Sequence, residues 1–73
     1  MQVRAPWDLA AAVRGRRLDL GLTQAHVAEA ARVSRKWVYE FEAGKPTAEL
    51  GPILRVLDAL ELALEVSAPG SAA

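Results

Sequence analysis

The sequence predicts an all-α fold, four to five short helices in one compact domain closed by a short C-terminal β-strand, and three observations predict it. Apolar residues recur at helical spacing in four segments, each entered through a residue able to start or cap a helix. From Leu62 to Ser67 the apolar period falls to two, as in a strand. The chain has 73 residues, 52% of them apolar, with no cysteine, which is enough for one small core without a disulfide or thiolate site to reinforce it. A core of that size makes completion by a partner surface, self-association included, a reasonable expectation.

Pro6 suits the first position of helix 1, because the N–H it lacks would go unpaired there, and Asp8 complements the positive end of the helix dipole. Helix 1 is expected from Pro6 to Leu20, with Leu9, Ala12, Val13 and Leu20 on one face and Gly21 ending it. Thr23 is placed to cap helix 2, Gln24 to Ala31, turning Val27 and Ala28 inward and Gln24, His26 and Glu29 outward. Ser34 repeats the capping chemistry ahead of helix 3, Arg35 to Ala43, whose inward face is Val38, Phe41 and Glu42. Gly44 stops this helix and Lys45-Pro46 makes an extended turn. Thr47 is expected to cap helix 4, which reaches Leu60 with an apolar stripe of Leu50, Ile53, Leu54, Leu57 and Leu60. That start puts Pro52 at about the fifth helical position, where its missing N–H begins to matter, so an irregular beginning is expected.

The alternating segment places Leu62, Leu64 and Val66 on one side and Ala63, Glu65 and Ser67 on the other. A lone strand leaves its backbone groups unpaired, and nothing else in the chain reads as a strand. Either helix 4 frays through these residues, or the segment pairs antiparallel with its own copy across a two-fold axis, the more economical solution. Residues 1–67 then form the single domain, and 68–73, small, polar or helix-breaking throughout, form a disordered tail.

Nine basic and nine acidic residues cancel, which by itself argues against a nucleic-acid binder. The sum hides a gradient: residues 1–36 carry seven bases against three acids, and residues 37–73 carry Lys45 and Arg55 against six acids. This is either scatter or a two-faced molecule with one end suited to a polyanion. A single histidine, His26, assembles neither a zinc site nor a catalytic dyad, and no phosphate-binding glycine loop is present, so neither metal, cofactor nor enzymatic activity is expected. Charges interrupt every apolar run well short of a membrane span, and the first residues lack the apolar core of a signal peptide, which points to a cytoplasmic protein with no membrane contact.

Two short helices joined tightly, the second opening on a capped serine with two bases in its first turn, have the geometry of a helix-turn-helix. The run Leu22-Thr23-Gln24-Ala25-His26-Val27-Ala28-Glu29-Ala30-Ala31-Arg32-Val33-Ser34-Arg35-Lys36-Trp37-Val38-Tyr39-Glu40-Phe41-Glu42-Ala43-Gly44-Lys45-Pro46 resembles the Cro/Xre-type helix-turn-helix, with its L-T-Q, its V-S and its E-x-G-K. Helix 4 followed by Leu60-Glu61-Leu62-Ala63-Leu64-Glu65-Val66 looks like the end of HipB-like antitoxins, in which a terminal strand pairs across the dimer. The two matches together cover about residues 8 to 67. The resemblance implies a homodimeric repressor of an inverted-repeat operator in double-stranded DNA. It also implies an antitoxin that binds a HipA-like serine/threonine kinase toxin and represses its own operon. A stand-alone Xre regulator, and an interaction module that has lost operator binding, are the competing readings. Ala31 stands where the family usually has glycine, and Ala5 where serine or threonine often caps helix 1.

On this resemblance Gln24 matches a glutamine that donates to operator phosphate, and Ser34 is a cap that also reaches phosphate. Arg35 and Lys36 stand at the first base-reading positions, where arginine binds guanine O6 and N7 with both arms. Tyr39 and Glu40 lie one turn on, facing a thymine methyl, a phosphate, a cytosine amino group or plain solvent. Lys45 resembles a phosphate-contacting lysine. Arg17 and Glu42 correspond to a structural ion pair between helices 1 and 3. His26 reads as a surface residue. Trp37 packs against the loop at Pro46, stacks along the DNA backbone or anchors the toxin; Trp7 packs on helix 4 or on the dimer strand. Asp58, Glu61 and Glu65 form either a toxin-facing acidic strip or a solubilising face.

Overall fold

The described residues form four helices: α1 (Pro6–Asp19), α2 (Gln24–Ala31), α3 (Arg35–Glu42) and α4 (Leu50–Ala59). The computed structural model describes residues 2–70. α2 packs against both α3 and α4, and α1 packs against α3. Between them lie Val13, Val27, Ala28, Ala31, Val38, Phe41, Val56, Leu57 and Leu60, all buried. Each larger aliphatic side chain taken fully out of water contributes about 1.5–3 kcal/mol.

The starts of α2 and α3 follow from their capping residues. Thr23 Oγ1 accepts from the His26 amide at 3.0 Å while His26 Nδ1 accepts from the Thr23 amide at 3.3 Å, a reciprocal box with histidine in the place usual for Glu or Gln. Ser34 Oγ accepts from the Trp37 amide at 3.0 Å. Ala5 offers α1 no acceptor, yet that end is tied down: Asp8 Oδ2 accepts from the amides of Arg4 and Ala5 at 2.9 and 3.0 Å.

All four helices end in the same pair of bonds, from the amide of one residue at the helix end to the carbonyl three residues before it and from the next amide to the carbonyl five residues before it. For α1 these are Gly21 N–H to Leu18 O and Leu22 N–H to Arg17 O, and the same pattern recurs at Arg32–Val33, Gly44–Lys45 and Glu61–Leu62. The motif requires a left-handed residue, and the four have φ of 69°, 58°, 92° and 57°. Thus Ala31, at the position where the resemblance expects glycine, stays helical and buried, and the left-handed position falls one residue later on Arg32.

Several expectations are corrected. Thr47 does not cap α4: the helix begins at Leu50 after Glu49, which makes Pro52 its third residue. In that first turn no N–H is needed for the helical ladder, so proline fits and the start is regular. The inward stripe of α4 is Ile53, Val56 and Leu57, continued by Leu60 just past its end, leaving Leu50 and Leu54 exposed, and Leu20, just past the end of α1, is exposed as well. On α1 the buried positions are Ala10, Val13 and Arg17. Residues 62–67 form no strand within the single chain, because no other extended segment among the described residues is there to pair with them. Leu62 packs on the core, whereas Leu64 and Val66 are exposed. Of the expected tail, 68–70 are exposed and irregular, and 71–73 lie outside the described residues.

Candidate nucleic-acid interface

The beginnings of α2 and α3 meet along one open groove, lined by Leu22, Thr23, Gln24, Arg35, Lys36 and Tyr39, with Arg17 at its floor. Four of the seven DNA-facing residues expected from sequence are thereby brought together, and Ser34 caps the helix that carries three of them. Both helices direct the positive ends of their dipoles at this side, and the unpaired amides of a first helical turn are natural donors to phosphate. Arg35, Lys36 and Tyr39 are exposed.

The groove is stiffened from beneath. Arg17 donates from Nε to Glu42 Oε2 and from Nη2 to Glu42 Oε1, each at 2.8 Å, and its Nη1 donates to the Leu22 carbonyl at 3.0 Å. Glu42 in turn accepts from Gln24 Nε2 at 3.3 Å. An amide nitrogen has two hydrogens, so Gln24 held in this way keeps one for an outside acceptor. The hydrogen bonds that Arg17 donates to Glu42 hold its guanidinium above its ordinary pKa, against the opposing effect of burial.

Glu40 and Lys45 lie beside the groove, in a cleft they share with Trp37, Phe41 and Pro52. Lys45 Nζ stands 2.6 Å from Glu40 Oε2 and Lys36 Nζ 3.7 Å from Glu40 Oε1. The hydrogen bond from Lys45 holds the Glu40 carboxyl below its ordinary value. Trp37 stacks on Phe41 with ring centroids 5.1 Å apart and planes 16° from parallel, an intramolecular packing role. Trp7 is 68% exposed and sits with its Cβ beside Gly44 at the end of α3, on neither of the surfaces expected for it.

Two arginines have jobs that local sequence does not announce. Arg16 Nε donates to the Leu60 carbonyl and Arg55 Nε to the Ala31 carbonyl, both at 2.9 Å, closing the ends of α4 and α2. Their cationic surplus therefore serves the fold. Among the described residues no group of acids and histidines is arranged to hold a metal ion, and no helix is long and apolar enough to cross a membrane.

Comparison with known proteins agrees with this geometry. A family model described as a helix-turn-helix domain matches residues 8–68. The chain is 38% identical over 69 residues to y4mF, an uncharacterized HTH-type transcriptional regulator of Sinorhizobium fredii (strain NBRC 101917 / NGR234), covering 94% of this chain and 91% of the relative. Its fold superimposes on a chain of the HipA–HipB–O2–O3 complex with a TM-score of 0.87 at 23% identity, over 94% of this chain and 97% of that one. A chain of the HipB–O4 20mer complex gives the same values.

Proposed function

The chain belongs to the helix-turn-helix domain family, and on that footing we propose that it is a homodimeric transcriptional repressor, and the antitoxin of a HipA-like kinase, that binds the operator of its own operon. The observation that carries the DNA-binding part is the convergence of Gln24, Arg35 and Lys36 on one groove at the joined starts of α2 and α3. In this reading α3 enters the major groove, Arg35 and Lys36 read base edges, and Tyr39 and Glu40 face the next base or phosphate. Gln24, Ser34 and Lys45 fix the register on the phosphates.

The toxin partnership is supported by the likeness in fold to a chain of the HipA–HipB–O2–O3 complex. The homodimer is supported by the alternating segment 62–67, which is unpaired in the single chain and in which Leu64 and Val66 stand exposed; a second copy would supply the missing ladder. Residues 1–67 are the domain in this reading, working in the cytoplasm.

The test joins a pull-down to a gel shift. A tagged copy is co-purified with the products of its neighbouring genes, and its own promoter is shifted with wild type and with the double variant Arg35→Ala, Lys36→Ala. A kinase partner together with a shift lost in the variant supports the whole reading. A shift without a partner reduces it to a stand-alone regulator, and the absence of any shift overturns it.

A further inference from the structure

An acid sits where the surface is meant to face a polyanion. Glu40 lies on α3 one turn beyond Lys36, its side chain only 27% exposed, and both of its oxygens are engaged: Oε2 by Lys45 and Oε1 by Lys36. Two of the three cations assigned to DNA therefore share one internal counter-ion, and of these three only Arg35 has no ion pair among the described residues. The span from Glu40 to Lys45 crosses the end of α3, so the lysine of the following turn is drawn back onto the recognition helix.

We propose that Glu40 is a specificity-determining residue that suppresses binding to arbitrary DNA by holding Lys36 and Lys45 in an internal ion triad; the proposal rests on the DNA-binding reading of this surface. Sequence-independent affinity comes from cations that replace condensed counter-ions on phosphate. A lysine already neutralised by a carboxylate releases less, and its carboxylate is carried up against the phosphates. Any duplex must either break these bonds or accept the acid. Only a site that offers Glu40 a donor of its own, as a cytosine amino group does, repays the exchange. The acid thus lowers the background more than it lowers binding to the right sequence, which is how repulsive elements create selectivity.

The experiment measures fluorescence anisotropy with a mixed-sequence 20-base-pair duplex and, separately, with the protein's own promoter, across a salt series. Glu40→Gln keeps the shape and removes the charge. Freeing about one lysine steepens the salt dependence on the mixed duplex by about 0.9, which is about fivefold tighter binding at 0.15 M salt. The ratio of promoter to mixed-duplex affinity falls correspondingly. Asp58→Asn, the same charge change elsewhere on the surface, leaves the slope unchanged. Lys45→Ala lowers the mixed-duplex slope by well under 1 in wild type and by about 1 in the Glu40→Gln background. Unchanged or weaker binding of Glu40→Gln to the mixed duplex overturns the proposal. If the mixed-duplex changes appear while wild type shows no preference for its promoter, the operator reading fails, and with it the part of Glu40 in specificity, while its suppression of sequence-independent binding stands.

Discussion

Arg17 and Glu42 join α1 to α3 through two parallel bonds of 2.8 Å, and their side chains are only 11% and 3% exposed. With Leu22 and Gln24 satisfying further atoms of the pair, no buried side-chain nitrogen or oxygen among the described residues lacks a partner. Such a pair is dear to break and cheap to replace, because each charge is desolvated whether or not the other is there. Glu42→Ala should therefore cost about 3–5 kcal/mol in urea unfolding. The double variant Arg17→Met, Glu42→Leu should regain most of that loss, and an additive double variant would contradict this account.

The left-handed residues offer an opposite test. Arg32 holds φ 58°, a conformation that costs a side-chain-bearing residue about 1–2 kcal/mol, whereas glycine adopts it freely but loses about 0.5–1 kcal/mol more entropy on folding. Arg32→Gly should be stabilising by about 0.5–1 kcal/mol in urea melts. Gly44→Ala, at φ 92°, should be destabilising.

The contrast between these two positions shows where the sequence is readable. Capping side chains act within three residues of themselves, so Thr23 and Ser34 disclose the starts of α2 and α3, and glycine discloses two of the four helix ends. Arg32 and Glu61 disclose nothing, because there the turn is fixed by the apolar residue that follows: Val33 and Leu62 both pack on the core. An apolar residue just after the last helical turn is the signal that could have located these ends. Thr47 misled for the converse reason, since a good cap lost to the better fit of Pro52 inside a first turn. The groove was legible because its residues belong to two adjacent short helices. The Arg16 and Arg55 carbonyl contacts span 44 and 24 residues and leave no local trace. The Glu40–Lys45 bond escapes helical periodicity because Lys45 lies beyond the end of α3.

Acid should act on the Glu40 triad in a defined direction. The carboxyl titrates below its ordinary value in the folded chain, so the unfolded chain takes up its proton first as pH falls. The contribution is fully present above the ordinary carboxylate range, and is lost as pH falls through the depressed folded value. The difference in urea midpoint between wild type and Glu40→Gln should therefore be constant near neutrality and vanish in strong acid. A difference that persists in acid would rule out the ion triad as its source.

Within the groove, charge and hydrogen bonding should separate in binding data. Gln24 is a neutral donor, so Gln24→Ala should weaken every duplex alike and leave the salt slope unchanged. Arg35→Ala should cost about 1–3 kcal/mol on the promoter and relax preference at one base pair in each half-site. Competition with promoter variants changed one base pair at a time reads both effects. Uniform weakening by Arg35→Ala would reassign this arginine to phosphate.

The C-terminal segment sets the last expectation. Leu62 is committed to its own core, but Leu64 and Val66 are exposed on a segment without regular structure that no other part of the described chain pairs, Val66 being 92% exposed. An edge with open N–H and C=O groups and apolar side chains is a template for another strand, and with identical chains the closed solution is a two-fold antiparallel pair. Leu64→Asp with Val66→Asp puts like charges together across such an axis, where directly opposed like charges destabilise a sheet. The helical core, which does not use these two side chains, should keep its circular dichroism. Sedimentation equilibrium should then give a dimer for wild type and the 7.8 kDa monomer for the double variant. Operator affinity should fall with dimerisation, because each monomer retains only one recognition helix. A variant that stays dimeric would move the interface elsewhere, with the exposed Leu50 and Leu54 of α4 the next residues to change.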